Sequence, residues 1–141
     1  MVGDGHCGYH SLCVLMGQPE GNYAWLRSTL ASHMVDNREL YEPVLKIVNP
    51  GKPFQRYAAG VNYTMSPCPE RFWCDMPMIG LAFATLYRVA VAFLSWDGPF
   101  LCLPMRTSQS SFDDDGLKII TMTHIENRKP LYTGTCFKFI C

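Results

Sequence analysis

The sequence predicts an α+β fold in which helices pack on a small, mostly antiparallel sheet. Apolar residues three or four positions apart predict helices in the N-terminal half, and short apolar runs bounded by turn residues predict strands in the C-terminal half. The length of 141 residues suits one ordinary domain, and 48% hydrophobic against 17% charged residues is typical of a compact chain. We therefore expect residues 1–141 to form a single domain.

Three helices are predicted before residue 50. The motif at residues 4–7 runs into the mostly apolar residues 11–16, which predicts a short buried helix that ends at Gly17 and has Cys7 at its N-terminus. Asn22 can cap a second helix, and residues 38–47 predict a third helix on the surface. The second helix carries four apolar residues on one face: Trp25, Leu26, Leu30 and Met34.

The remainder of the chain predicts one more helix and four strands. Four prolines between residues 49 and 70 favour irregular structure there. Residues 78–87 then predict a buried helix, and the continuous apolar run at 89–94 is typical of a central strand. Three further segments predict the other strands: 100–105, 118–122 and 132–140.

Charge and hydropathy exclude two classes of partner. Lys plus Arg and Asp plus Glu number 12 each, so no overall charge attracts nucleic acid or an anionic membrane surface. The longest apolar stretch, residues 76–94, is interrupted by Pro77, Gly80 and Arg88, which argues against a membrane-spanning helix. Without a secretory signal at its start, we expect the protein to be in the cytoplasm or nucleus. We also expect it to be a monomer.

The seven cysteines do not form a pattern that predicts metal binding. Cys68 with Cys74 and Cys136 with Cys141 are two loose pairs, and neither has the spacing of two to four residues that structural zinc sites use. No histidine is placed to complete such a site. We expect no metal and no cofactor.

Cys7 is the candidate nucleophile. A cysteine attacks acyl carbons as a thiolate, and unpaired N–H groups at a helix N-terminus stabilise negative charge there. Gly5 and Gly8 flank the cysteine closely and let the backbone approach a substrate, so the same N–H groups can form an oxyanion hole. The alternative is that Cys7 is a small buried core residue, as we expect for Cys13.

Residues 4–12, Asp-Gly-His-Cys-Gly-Tyr-His-Ser-Leu, resemble the Asp-Gly-x-Cys-x-aromatic motif of ovarian-tumour (OTU) family cysteine proteases. Downstream, Phe72-Trp73 followed by a helix and a buried strand also resembles this family. Residues 103–106, Leu-Pro-Met-Arg, are similar to a strand end in plant and transposon-associated OTU domains, the group that the chain resembles most. The likeness extends from Gly3 to about Asn127.

This resemblance implies a papain-like OTU fold and a deubiquitinase activity. Enzymes of this family cleave the isopeptide or peptide bond after the C-terminus of ubiquitin or a similar modifier, without a metal or organic cofactor. Cys7 would be the nucleophile, and the loop at Asp4 would shape the oxyanion region. Since Met1 precedes Asp4 by only three residues, we expect a domain shortened at one or both ends.

The general base is the part of the motif at which this chain departs from the family. The family places a His followed by an aromatic residue before its last strand, whereas this chain has Arg128 or Lys129 there. One hypothesis is that His124 acts as the base, with Glu126 or Asn127 orienting its ring. The other is that the base is lost and the domain is a pseudoenzyme that binds ubiquitin. A weaker third is a decayed fragment without a stable fold.

The remaining histidines are poorly placed to serve as the base. His6 is too close to Cys7 in sequence to fold back onto it comfortably. His10 lies one helical turn beyond Cys7, where it can cap or pack, and His33 falls on the polar side of the second helix.

Overall fold

A computed structural model describes residues 4–95, 98–105, 116–124 and 137–139, with backbone only at residues 124 and 137–139. In this part of the chain, five α-helices pack with a four-stranded sheet, which confirms the α+β fold. The helices are α1 (Cys7–Leu15), α2 (Tyr23–Asp36), α3 (Arg38–Val48), α4 (Phe54–Val61) and α5 (Met78–Tyr87). The strands are β1 (Ala90–Leu94), β2 (Phe100–Cys102), β3 (Ile119–His124) and β4 (Phe137–Phe139). Short 3₁₀ turns form at Glu20–Asn22 and Glu70–Phe72.

The sheet is mixed, with the strand order β2-β1-β3-β4. β1 and β2 pair antiparallel, but β3 runs parallel to both β1 and β4. The expectation of a mostly antiparallel sheet is therefore wrong for the described strands, although β1 is central as predicted. The lengths of the connections permit this arrangement: residues 95–118 between β1 and β3, and residues 125–136 between β3 and β4, each have the dozen or so residues that a parallel crossover requires.

Helix α2 supplies the centre of the core. Leu26, Leu30 and Met34 are fully buried, as their spacing predicts. Trp25 does not share their face, because its side chain remains 51% exposed. One position along a helix turns the side-chain direction by about 100°, which carries Trp25 out of the core face.

Helix α4 lies in the segment for which the prolines predicted irregular structure. Pro53 occupies the position before the first helical residue, where its missing N–H costs no intrahelical bond. The apolar residues of α4 recur at helical spacing on one buried face: Phe54, Tyr57, Ala58 and Val61. Burial of this face explains why a short helix forms in a proline-rich segment.

Helix α5 carries the chain into the sheet. It covers the predicted residues, Met78–Tyr87, and its C-cap residue Arg88 adopts the left-handed conformation at φ 54°. The Val89 N–H then bonds to the Ala84 carbonyl oxygen at 3.1 Å. At the other end of the chain, α1 packs against α2, the Glu20–Asn22 turn and β4. This packing places the N-terminus of α1 beside the sheet.

Candidate functional site

Cys7 is the first residue of α1, which confirms its predicted position at a helix N-terminus. The Tyr9 and His10 N–H groups both bond to the His6 carbonyl oxygen, at 2.9 and 3.0 Å. The Gly8 N–H makes no hydrogen bond to any residue that the structure describes. An unpaired amide and the positive end of the helix dipole therefore lie next to the half-buried Cys7 side chain.

The sulfur of Cys7 is in a disulfide. A disulfide sulfur is not a thiolate nucleophile. The chemistry of a nucleophilic Cys7 therefore belongs to the reduced protein.

The glycines on either side of Cys7 allow neighbouring backbone to pack closely. Gly5 has φ 79°, and a Cβ there would lie 2.6 Å from both the Cys68 carbonyl oxygen and Trp73 Nε1. A Cβ on Gly8 would overlap the Cys74 side chain. Both glycines thus let the Cys7 loop lie against residues 68–74, whereas the sequence suggested that they give a substrate access.

Trp73 and Cys68 complete this contact. The Trp73 indole N–H donates to the Cys68 carbonyl oxygen at 3.1 Å, and the Cys68 N–H donates to the Asp4 carbonyl oxygen at 2.7 Å. The second bond joins the loop before α1 to a segment more than sixty positions away. Trp73 holds the carbonyl group of Cys68 within that segment, and so supports the contact with the Cys7 loop.

Both carboxylate oxygens of Asp4 are occupied. Oδ1 accepts the His6 backbone N–H at 2.9 Å, and Oδ2 lies 3.0 Å from His10 Nε2. Burial alone would raise the pKa of Asp4, but the hydrogen bonds from His10 and His6 outweigh it and the net pKa is lowered. Ionised Asp4 thus stabilises the fold above its unfolded pKa, and this contribution is lost as the pH falls through the lower folded value.

His6 is fully buried and uses both ring nitrogens. Its Nδ1 lies 3.4 Å from Nη1 of Arg27, and since a guanidinium can only donate, Nδ1 accepts. The proton is then on Nε2, which donates to the Met65 carbonyl oxygen at 3.1 Å. Burial is the main cause that lowers the pKa of His6, and the nearby Arg27 charge lowers it further. His6 is a neutral structural residue, in agreement with the expectation that it is not the base.

His10 also has oxygen partners on both nitrogens. Nδ1 lies 2.9 Å from the Glu20 carbonyl oxygen, and Nε2 faces Asp4. The ring of Tyr23 packs between the two histidines, with centroids 4.4 Å from His6 and 4.6 Å from His10. His10 packs within the fold, as expected. His33 lies elsewhere, where its Nε2 bonds to the Tyr41 hydroxyl at 2.8 Å.

Arg27 is the residue that sequence reasoning missed. Its side chain is fully buried, and Nη2 donates to the carbonyl oxygens of Gly60 and Phe72 at 2.9 and 2.8 Å. The guanidinium also stacks over the Tyr9 ring, 4.0 Å from its centroid. A signal was available, because Arg27 precedes Leu30 by three positions and so shares the apolar face of α2.

His124 is the last residue of β3, and its backbone pairs with Phe139 of β4. β4 contacts α1, and β3 is the neighbour of β4 in the sheet. The end of β3 is therefore separated from the Cys7 helix by one strand, β4. Residues 126–129, which carry the two residues predicted to orient the base and the two that replace the family's histidine, lie outside the described part of the chain. The role of His124 stays a prediction.

Comparisons with known proteins identify the fold. No family model and no curated protein matches the chain. The solved structure of the OTUD1 OTU domain matches with a TM-score of 0.59 and 12% identity, covering 87% of this chain and 75% of that one. The chain has the fold of an OTU domain. At this identity the likeness concerns the OTU fold and no finer group within it.

The described residues of this OTU fold contain no group of three or more His, Cys, Asp and Glu side chains that could hold a metal ion. Cys68 and Cys74 belong to this region, whereas Cys136 and Cys141 lie outside it. Among the helices that the structure describes, none is long and apolar enough to cross a bilayer. In the described part of the chain, the site consists of Cys7 at the N-terminus of α1 and the hydrogen-bonded residues Asp4, His6 and His10 around it.

Proposed function

We propose that this protein is an OTU-like, thiol-dependent deubiquitinase of the plant and transposon-associated type. The observation that carries the proposal is the position of Cys7, the first residue of α1 in an OTU fold. Its neighbours are held by the half-buried side chain of Asp4 and the buried side chains of His6 and His10. A fixed loop before a nucleophile is what positioned catalysis requires.

The proposed reaction has two steps. The reduced Cys7 sulfur attacks the carbonyl carbon at the C-terminus of the modifier, and the substrate amine leaves with a proton to give a thioester. Water then hydrolyses the thioester and regenerates the thiol. The Gly8 amide is suited to stabilise the oxyanion of each tetrahedral intermediate, for which one such donor contributes about 10²–10³ in rate.

The reaction also needs a group that takes the proton from Cys7 and gives one to the leaving amine. We assign this role to His124, because the nitrogens of His6 and His10 are already bonded within the fold. The same observation favours the second candidate function. If His124 does not reach Cys7, the domain is an OTU pseudoenzyme that binds ubiquitin without cleaving it.

A ubiquitin probe with a C-terminal electrophile tests the proposal on the reduced protein. We expect the wild type to form a covalent adduct at Cys7 and both Cys7→Ala and His124→Ala to abolish it. His33→Ala is the matched control, because His33 bonds to Tyr41 in another part of the fold. Adduct formation that survives His124→Ala would remove His124 as the base.

The pseudoenzyme predicts a different set of results. Wild-type protein would bind ubiquitin in a titration, form no adduct and leave ubiquitin chains intact on a gel. Absence of both binding and labelling by a folded, reduced protein would contradict both candidate functions.

The expected partner is ubiquitin or a ubiquitin-like modifier. We further propose that the protein is a monomer and acts in the cytoplasm or nucleus. Light scattering on the purified protein and imaging of a fluorescent fusion would test these two expectations.

A further inference from the structure

The hydrogen bonds of His10 define its protonation. The Glu20 carbonyl oxygen has no hydrogen to donate, so His10 Nδ1 must carry a proton. A carboxylate is ionised at neutral pH and can only accept, so Oδ2 of Asp4 also accepts. The facing Nε2 must then carry a second proton. A ring with protons on both nitrogens is an imidazolium, and the pair is a charge-assisted hydrogen bond.

We propose that Asp4 and the protonated His10 form an ion pair that positions Cys7, so that His10 is a positioning residue for the reaction assigned above. The positioning role of His10 in the reaction rests on the proposed function, whereas the ion pair itself does not. The existence of the ion pair can be tested without ubiquitin.

The geometry explains how the pair acts on Cys7. Asp4 precedes Cys7 by three positions and His10 follows it by three, so their bond closes a ring around the nucleophile. The other oxygen of Asp4 holds the N–H of His6, the residue directly before Cys7. Loss of the pair frees the loop on one side of the helix start.

The charged and titratable groups around His10 come from three elements. From the loop before α1, Asp4 bonds to the ring and His6 packs at a centroid distance of 6.3 Å. From the Glu20–Asn22 turn, Glu20 Oε1 lies 3.9 Å from Nδ1. From α2, Tyr23 packs on the ring, while the buried cation Arg27 bonds to His6. Among the described side chains, the two with charges in contact with His10 are thus carboxylates.

The substitution Asp4→Asn provides a sharp test, because it preserves both hydrogen bonds and removes one proton. The amide oxygen can still accept the His6 N–H, and the amide NH₂ can donate to Nε2 of a neutral His10. The wild-type bond needs the ring proton, whereas the Asp4→Asn bond needs its absence. The two proteins should therefore depend on pH in opposite directions.

The first measurement is the free energy of unfolding of the reduced protein across a pH series above the pKa of Asp4. The stability advantage of wild type over Asp4→Asn should be greatest at mildly acidic pH and shrink as the pH rises. As the control, both proteins are also made with the additional substitution His33→Gln, which removes a histidine from another part of the fold. The stability difference caused by Asp4→Asn should then change with pH in the same way as before. A difference that is constant with pH, or that grows as the pH rises, overturns the ion pair.

The second measurement separates positioning from stability. In hydrolysis of a fluorogenic ubiquitin substrate below the unfolding temperature, His10→Gln should lower kcat by about a hundredfold with little change in KM, because the reacting atom is misplaced. His33→Gln should retain wild-type kcat. An unchanged kcat in a folded His10→Gln protein overturns the positioning role.

Iodoacetamide provides a readout that does not need ubiquitin. Alkylation of reduced Cys7, measured by peptide mass spectrometry, should show a changed pH profile in Asp4→Asn and in His10→Gln. If the wild type lacks ubiquitin activity but shows these shifts, the ion pair stands and the proposed function fails. If neither variant shifts the profile, the positioning of Cys7 by this pair is contradicted.

Discussion

Gly8 is a residue whose role comes from packing. A Cβ at this position would overlap the Cys74 side chain, so α1 can approach residues 68–74 closely only with glycine there. The adjacent cysteine suggested a catalytic use of the glycine, but its neighbour in space is sixty-six positions away. A sequence without its contacts could not distinguish these two uses.

Gly8→Ala should destabilise the protein by about 1–3 kcal/mol, because the added methyl group forces α1 and Cys74 apart. Chemical denaturation of the reduced protein measures the effect. Gly21→Ala is the control, since a Cβ on Gly21 meets no atom within 4 Å. Equal stability of the two variants would show that the contact with Cys74 can relax.

The histidines near Cys7 show how far sequence reasoning reached at the level of single residues. Their exclusion as bases followed from their distance along the chain, and the structure adds the partners that occupy them. The Asp4–His10 bond is local enough to have been considered from spacing alone. The contribution of the Glu20 carbonyl was not visible, because a backbone acceptor has no sequence signature.

At the scale of elements, periodicity was the reliable signal. It predicted the residues of α5 and three of the four core contacts of α2. The counting of prolines misled for α4, because Pro53 starts a helix as readily as it interrupts one. The buried positions 54, 57, 58 and 61 carry the helical spacing that should have outweighed the prolines.

Arg88 offers a test at the end of α5. It is the non-glycine residue with positive φ in the described chain, and a Cβ in that conformation is strained. Arg88→Gly should stabilise the protein by about 0.5–1 kcal/mol, the strain relieved less the added entropy of the unfolded chain. Thermal unfolding measures the change.

Arg88→Ala separates the backbone effect from loss of the charged side chain. Because alanine keeps the Cβ, we expect it to give no gain in stability. A stabilisation shared by both variants would assign the effect to the side chain and contradict the strain at φ 54°.

At the scale of the whole molecule, burial raises the pKa of four of the cysteines that the structure describes. It raises the pKa of Cys13 and Cys102 to about 11 and of Cys74 to about 12, and it also raises the pKa of Cys68. These four thiols are free and scarcely ionised at neutral pH. Cys7 differs from them in position, because it is half-buried at the N-terminus of α1.

In the native reduced protein, iodoacetamide should therefore modify Cys7 well before those four cysteines. Peptide mass spectrometry after timed quenching gives the order. In denaturant all seven cysteines should react at similar rates, which serves as the control. Native modification of Cys13 as fast as Cys7 would contradict the assigned burial.

The direction of the strands could not be predicted because it depends on where the long connections return the chain. β1 and β2 are joined by a short connection and pair antiparallel. The parallel pairs of β3 join strands that are separated by long connections, whose course a local turn signal does not define. The sequence therefore predicted the layers of the fold and left the path between them open.

Arg27 ties the N-terminal loop to the centre of the molecule. One guanidinium joins α2 to His6, to the end of α4 at Gly60 and to the Glu70–Phe72 turn. Opening the loop would break the contact of His6 with this buried cation and leave the Met65 carbonyl without the His6 Nε2–H, so local fraying there is costly. We expect the hydrogen-bonded amide protons of His6, Tyr9 and His10 to exchange with solvent as slowly as those of α2.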